Sequence, residues 1–268
     1  MIDLDAYFHR IGYSGSREPT LHTLRALHLR HPLAIPFENL DPLLDRPVRL
    51  EPDALERKLV AEKRGGYCFE QNLLLGHALR ALGFAVTYLA ARVIWKRGDH
   101  DKRPRTHMLL SVQLGEGAYL CDVGFGGLTL TAPLRLEPDV EQATPHEPFR
   151  VRREARDYTM EARLGAEWLA LYRFDLQEQR QADIEVLNYY ISTHPDSQFR
   201  ARLMAARPTV DGRFALSNNV LSRYGAGGEA ERRTLGSVAE LRDALALTFG
   251  IALPADERLD PALELAIG

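Results

Sequence analysis

The feature that most constrains the fold is a change of hydrophobic period at Gly83. Before it, apolar side chains recur at helical spacing over residues 3–11, 20–31 and 51–63. After it, β-branched and aromatic residues gather in short runs separated by turn residues, a pattern typical of strands. The sequence therefore predicts a helical region over residues 1–83, followed by β-sheet.

The predicted strands follow one another closely enough to form antiparallel hairpins. We expect them at residues 84–95, 106–114, 118–123, 149–153, 157–163 and 167–174. The turn Gly115-Glu116-Gly117 joins the second strand to the third. Together they predict an antiparallel sheet, either open or closed into a barrel, that ends near residue 175.

The other segments have weaker patterns. Three prolines in Pro32–Pro42 predict a rigid loop and exclude a helix, because proline lacks a backbone N–H. Residues 180–206 have a helical or mixed pattern, and residues 208–224 contain two short strands. A flexible turn is expected at residues 225–228. Ser237 then predicts the start of a last helix, which ends at Phe249.

Composition limits the classes of function. The chain has 268 residues, of which 26% are charged, and its formal net charge is −3. This charge gives no overall electrostatic attraction to nucleic acid or to an anionic membrane. That length admits one large domain, or two to three smaller ones that share a site. The first residues lack the features of a signal peptide, and no apolar run is long enough to cross a bilayer. Two cysteines do not make a disulfide framework, so we expect a reducing, cytoplasmic setting.

One stretch carries the strongest chemical signal, because a glycine pair and Cys68 lead directly into an apolar helix. A thiol in a first helical turn lies beside unpaired backbone N–H groups and the positive end of the helix dipole, which lower its pKa and favour the reactive thiolate. Gly65 and Gly66 would let a substrate come close to the backbone. The alternative is a buried structural cysteine.

The predicted hairpin places a histidine and a carboxylate together. If its turn centres on residues 115 and 116, His107 and Asp122 are diagonal neighbours on one face, within reach of a hydrogen bond. Cys121 then points to the other face, into the core. Together with the thiol at the helix start, this pair predicts an activated nucleophile. The imidazole would take the thiol proton, and the carboxylate would orient the imidazole. A structural histidine and an aspartate that caps a turn are the alternatives.

These residues resemble the arylamine N-acetyltransferase family, on five blocks that follow the family's order between residues 35 and 200. The blocks are Pro36–Leu40 (PFENL), Arg64–Asn72 (RGGYCFEQN), Thr106–Met108 (THM), Asp122–Gly126 (DVGFG) and Ser192–Phe199 (STHPDSQF). The cysteine block is highly specific, and the others are weaker singly. The C-terminal part of the chain matches only in general character.

The resemblance implies an α+β fold in three parts: an N-terminal helical bundle, a central antiparallel β-barrel and a C-terminal α/β lid, around a Cys-His-Asp core like that of cysteine proteases. We expect these parts at residues 1–83, 84–190 and 191–268. The bundle would carry the cysteine, and the barrel the histidine and the aspartate.

The resemblance also implies a ping-pong acetyl transfer with acetyl-CoA as donor and no metal. By position, Cys68 is the nucleophile, His107 the general base and Asp122 the residue that orients it. The expected substrate-binding positions are Phe37, Val93, Phe125 and Phe199. The expected CoA-binding positions are Thr106, Gly124, Gly126 and Gly127. The partners would be CoA and a small aromatic amine or hydrazine, with no nucleic acid or membrane, and the chain a monomer or a weak homodimer.

Three further points stay open at this level. Phe37 and Glu38 either face the site or serve the fold, and Glu38 is a candidate partner for Arg64 beneath Cys68. The basic loop at residues 96–105 either meets CoA phosphates or is simply solvated. The alternative functions are an amide synthase with a carrier-bound acyl substrate, a Cys-His-Asp hydrolase or transglutaminase-like enzyme, and a non-catalytic binding module. The aromatic pocket argues against a hydrolase, because it excludes water.

Overall fold

The computed structural model describes residues 2–95, 104–115, 117–225 and 230–268. Most of the basic loop, Glu116 in the hairpin turn and residues 226–228 of the glycine-rich turn lie outside the described residues.

The N-terminal region is helical, as predicted. Its helices are α1 Leu4–Ile11, α2 Leu21–Ala34, α3 Leu40–Leu43, α4 Pro52–Leu55 and α5 Cys68–Ala81. A π-type helical segment continues α4 over Glu56–Ala61. Tyr7, Leu27, Leu59 and Leu75 bring α1, α2, this segment and α5 into one core. Gly83 ends α5 with a φ of +89°, a value that glycine adopts without strain.

The prediction that the prolines exclude a helix is wrong at both ends of the segment. Pro32 lies inside α2, in its last turn, and Pro42 lies inside α3. Pro42 is tolerated because the first N–H groups of a helix have no intrahelical acceptor. Between the two helices, Phe37–Glu38 forms a short strand, β1, which the sequence did not predict.

The predicted antiparallel sheet is confirmed. Its strands are β2 Ala85–Val93, β3 His107–Leu114, β4 Gly117–Cys121, β5 Leu134–Arg135, β6 Phe149–Glu154, β7 Asp157–Leu164 and β8 Glu167–Phe174. They pair in the order β5-β4-β3-β2-β8-β7-β6.

The chain between β5 and β6 nearly closes this sheet into a barrel. The Asp139 N–H donates to the Val151 carbonyl at 2.8 Å, and Gln142 and Phe149 exchange backbone hydrogen bonds of 2.8 and 3.0 Å. The Gln142 amide also bonds both backbone groups of Arg135, on β5. One short segment thus contacts both edge strands.

The C-terminal region combines helices with a second sheet. Its elements are α6 Gln181–Thr193, α7 Gln198–Ala201, β9 Met204–Thr209, β10 Gly212–Ser217, β11 Val220–Gly225, β12 Ala230–Thr234, α8 Val238–Asp243 and α9 Leu259–Ile267. The sheet order is β1-β9-β10-β11-β12, so the short N-terminal strand completes it. The Ser237 side chain caps α8 as predicted, and a π-type segment, Ala244–Thr248, continues that helix. The prediction that this is the last helix is wrong, because α9 follows it.

These elements confirm the α+β fold class, with helices, a nearly closed barrel and a C-terminal α/β part. The start of α5 packs directly against the barrel, since Gly124, three residues after β4, lies so close to Cys68 that an added Cβ would be 2.7 Å from the Cys68 Cα. No helix among the described residues is long and apolar enough to cross a membrane.

Candidate active site

Cys68 is the first residue of α5 and is buried, with 3% of its surface exposed. Its thiol contacts the Thr106 carbonyl at 3.7 Å. The preceding residue, Tyr67, is the N-cap, and its backbone N–H donates to the Glu70 carboxylate at 3.0 Å. The sulfur therefore lies at a helix N-terminus that is held in place by its own first turn.

His107 and Asp122 form the contact that the hairpin predicts. Leu110 pairs with Cys121 across β3 and β4, which is the register expected from a turn at residues 115 and 116. The His107 Nε2 lies 2.6 Å from the Asp122 Oδ2, and both side chains are buried. Cys121 points into the core, where burial raises the pKa of its thiol.

The buried pair favours an imidazolium facing a carboxylate. Burial works to lower the pKa of His107, but the charge and hydrogen bond of Asp122, together with a hydrogen bond to Cys68, outweigh it and raise that pKa to about 10. Burial works to raise the pKa of Asp122, and the histidine and its other hydrogen bonds hold it below its ordinary value. Asp122 therefore stays ionised and can support a positive charge on His107.

Asn72 holds the carboxylate from the nucleophile's own helix. Its side-chain N–H groups donate to the Asp122 Oδ1 at 3.0 Å and to the Met108 carbonyl at 2.8 Å. Its Oδ1 accepts the Val123 N–H at 3.0 Å. This role of Asn72 was not predicted, although a spacing of four residues places it on the same helix face as Cys68.

The interpretation of Gly65 and Gly66 as an opening for substrate is wrong, because neither lines the cavity beside Cys68. A Cβ at Gly65 would lie 2.2 Å from the Pro36 carbonyl oxygen, and one at Gly66 would lie 2.7 Å from a Glu70 oxygen. The glycine pair is needed for close packing of the loop against β1 and the start of α5.

A buried charge network lies beneath this loop. Arg64 donates to Glu38 at 2.9 Å and to Asp41 at 3.2 Å, which confirms the predicted Arg64–Glu38 pair. Lys58 lies 2.6 Å from both Asp41 and Glu70. Burial, opposed mainly by Lys58, raises the pKa of Glu70 to about 7. Removing one partner of such a network leaves an uncompensated buried charge, which is strongly destabilising.

A cavity of about 510 Å³ opens beside the thiol. Of the site residues predicted from the sequence, only Asp122 does not line this cavity, because it lies behind His107. The lining includes Phe37, Cys68, Val93, Thr106, His107, Gly124, Phe125, Gly126, Gly127 and Phe199. The His107 ring is enclosed by Phe125 and Tyr172, at centroid distances of 5.2 and 4.8 Å. The reactive groups thus face an apolar, aromatic space.

The sequence did not predict the opposite wall of the cavity. It is formed by Gln198, Arg202 and residues of the C-terminal sheet, namely Met204, Ala205, Ala206, Ala215, Leu216, Ser217, Val220, Ser222, Tyr224 and Arg232. Trp95, which packs against Phe125, also lines the cavity and was not predicted. Small residues on short strands carry no chemical signal, and the pairing of Phe37 with Ala206 across β1 and β9, which helps to bring this sheet to the site, is not visible in any local pattern.

A buried thiol, an imidazole and a carboxylate at one side of an apolar cavity define the class of proteins with a Cys-His-Asp site. Such a site can form and break a thioester without a metal. Among the described residues, no group of three or more His, Cys, Asp or Glu side chains is arranged to hold a metal ion.

Comparison with known proteins narrows this class to one family. A family model described as N-acetyltransferase matches residues 20–258. The chain is 47% identical to the arylamine N-acetyltransferase of Mycobacterium tuberculosis, over 93% of this chain and 89% of that protein. It is 43% identical to the Escherichia coli arylamine N-acetyltransferase, with the same coverage of each chain.

The structural comparison agrees. The arylamine N-acetyltransferase of Mycobacterium marinum in complex with CoA superposes with a TM-score of 0.95 at 41% identity, over 99% of this chain and 100% of that one. This chain therefore belongs to the arylamine N-acetyltransferase family, as its motifs indicated.

Proposed function

We propose that this protein transfers the acetyl group of acetyl-CoA to aromatic amines or hydrazines through a thioester on Cys68. The observation that carries the proposal is the buried His107–Asp122 hydrogen bond of 2.6 Å directly beside the thiol. Membership of the family supports acetyl-CoA as the donor and an arylamine as the acceptor.

In the first half-reaction, the proton of the Cys68 thiol resides on His107, and the Asp122 carboxylate stabilises the resulting imidazolium beside the Cys68 thiolate. The thiolate attacks the acetyl carbonyl carbon, and the bond from that carbon to the CoA sulfur breaks. The CoA thiolate then leaves with the proton held by His107. The Cys68 N–H, which has no intrahelical acceptor at the first helical position, is suited to stabilise the oxyanion together with a neighbouring N–H.

In the second half-reaction, the amine nitrogen attacks the acetyl-Cys68 carbonyl. His107 takes a proton from that nitrogen, the carbon–sulfur bond breaks, and Cys68 leaves as a thiolate that regains a proton. An aromatic surrounding suits a flat aryl acceptor and keeps water from the acyl-enzyme. This argues against the hydrolase alternative.

We propose that Phe37, Val93, Phe125 and Phe199 contact the acceptor, since they line the cavity around the thiol. Thr106, Gly124, Gly126 and Gly127 would contact the donor. Gly126 has a φ of +87°, a backbone conformation that favours glycine. Space is not the reason, because an added Cβ would lie at an ordinary contact distance of 3.5 Å from Phe37. An amide synthase, the alternative enzyme, would take its acyl group from a carrier.

The test is acetylation of the protein by acetyl-CoA, followed by intact and peptide mass spectrometry. We expect one acetyl group on Cys68, and its release on addition of an arylamine as the N-acetyl product. The Cys68→Ser variant is the matched control. An active, folded preparation that gains no acetyl group on Cys68 would overturn the proposal, and transfer only from a carrier protein would favour the amide synthase.

We further propose that the protein is a cytoplasmic monomer or weak homodimer that binds neither nucleic acid nor membrane. Its two free cysteines are consistent with a reducing compartment. We also propose the division of the chain into residues 1–83, 84–190 and 191–268, of which the second boundary falls within α6. Sedimentation at several concentrations tests the oligomeric state, and limited proteolysis tests the boundaries.

A further inference from the structure

Asp122 is contacted by two histidines, in two different ways. His107 contacts its carboxylate, whereas His28 of α2 accepts the Asp122 backbone N–H at 3.1 Å through Nε2. His28 is completely buried and does not line the cavity. It therefore touches neither substrate nor the reacting atoms.

The place of this hydrogen bond in the fold explains what it does. Strand β4 ends at Cys121, so Asp122 is the first residue beyond the sheet. A buried backbone N–H at that point needs an acceptor from elsewhere, and the α2 imidazole supplies it. Because the carboxylate extends from this backbone, its position relative to His107 depends on where the backbone is held.

We infer that His28 is a positioning residue for the reaction, which fixes the Asp122 backbone so that its carboxylate faces His107. The inference rests on the proposed function, since it assigns His28 a role only through the proposed triad. It goes beyond that function by adding a fourth element, α2, to the support of the site.

The charge states of the two imidazoles are consistent with these two roles, in which His107 faces the Asp122 carboxylate and His28 accepts the Asp122 backbone N–H. Burial lowers the pKa of His28 to about 3, although the Asp122 charge works to raise it, and the neighbouring His31 lowers it further. A neutral imidazole can present a lone pair to an N–H, and it brings no positive charge that would compete with His107 for the carboxylate. His28 thus remains an acceptor over the whole range in which the enzyme would work.

The chain offers a matched control on the same helix. His31 is also completely buried, but it bonds Tyr7 at 2.9 Å and Gln71 at 2.7 Å and contacts no triad residue. Its pKa is also lowered, to about 4, mainly by burial. Loss of either imidazole removes a buried hydrogen-bonded ring, but only the loss of His28 frees the Asp122 N–H.

The experiment compares His28→Leu, His28→Gln and His31→Leu. For each we would measure the single-turnover rate of Cys68 acetylation, the KM for acetyl-CoA, and the rate of Cys68 alkylation by iodoacetamide between pH 5 and 10. His28→Leu should slow acetylation roughly tenfold and leave KM within about twofold. Its alkylation midpoint should move to higher pH, because a weaker His107–Asp122 pair stabilises the thiolate less. In His28→Gln the amide oxygen can accept the N–H, so the wild-type profile should largely return, and His31→Leu should keep that profile.

A His28→Leu profile identical to that of the wild type, or the same shift in His31→Leu, would overturn the inference. If His28→Leu does not fold, NMR of wild-type protein labelled with 15N-histidine decides, because Nε2 of His28 must remain unprotonated from pH 5 to 9. A protonated Nε2 would refute the contact. Failure of the wild type to acetylate at Cys68 would instead overturn the proposed function, while the alkylation profiles would still report on His28.

Discussion

The two walls of the cavity are built in opposite ways. On the reactive wall, Cys68 and His107 are backed by buried partners, with hydrogen bonds to Asp122 from His107, Asn72 and Gly124. The facing wall combines small side chains on β9 and β10, such as Ala206, Ala215 and Ser217, with larger ones. From this difference we propose that reactivity depends on the hydrogen-bond network around Asp122, and that the facing wall limits the size of the acceptor in addition to the aromatic residues around the thiol.

The largest effect should come from the nucleophile. Cys68→Ser replaces sulfur by oxygen at a helix start, so we expect no detectable turnover and a change in unfolding free energy of no more than about 1 kcal/mol. Steady-state assays and urea unfolding measure the two quantities. Measurable acetyl transfer by the serine variant would show that the reactive wall does not depend on this thiol.

The next largest effect should come from the charge behind His107. Asp122→Asn keeps the size of the side chain but removes the charge that supports the imidazolium, and the rate of Cys68 acetylation should fall about 10⁴-fold, as is typical for this change in hydrolase triads. Asp175→Asn is the matched control, since Asp175 pairs with Arg105 at 2.6 Å outside the network. Near-full activity in Asp122→Asn would remove this residue from the triad.

The pair should also make stability depend on pH. His107 has a folded-state pKa of about 10 against an ordinary 6.5, so its contribution is complete below about pH 6.5 and is lost as the pH rises toward 10. The Asp122 pKa is held below its ordinary 3.8, so that contribution is present above pH 3.8 and is lost on acidification. The difference in unfolding free energy between wild type and Asp122→Asn should therefore shrink from pH 6.5 to 10. A constant difference over that range would contradict the assigned charge states.

The contrast between the walls also separates what the sequence could predict from what it could not. The strand predicted at residues 157–163 is observed at Asp157–Leu164, and the hairpin register brought His107 to Asp122. The strand depends on local hydrophobic periodicity, and the contact depends on which residues share a face of the hairpin once its turn is placed. Both can be read from a single sequence.

The failures concern contacts between distant segments. Phe37 pairs with Ala206, which lies 169 positions further along the chain, and no local pattern predicts that β1 joins the C-terminal sheet. Gly65 was assigned to the substrate because its close packing against the Pro36 carbonyl is visible only in three dimensions. Pro32 lies inside a helix because tertiary packing outweighs its low helix propensity.

The smallest effect should come from the facing wall, and it is the one that distinguishes the walls most sharply. Ala215→Val adds two methyl groups to β10 at the cavity, so kcat/KM for a bulky arylamine should fall roughly tenfold. Cys68 alkylation by iodoacetamide should stay within about twofold, because no hydrogen bond of the reactive wall is touched. Ala230→Val is the control, since Ala230 is exposed on β12 of the same sheet and does not line the cavity. If Ala215→Val slowed alkylation as much as it slowed arylamine turnover, the two walls would be coupled, and acceptor choice could not change independently of the chemistry.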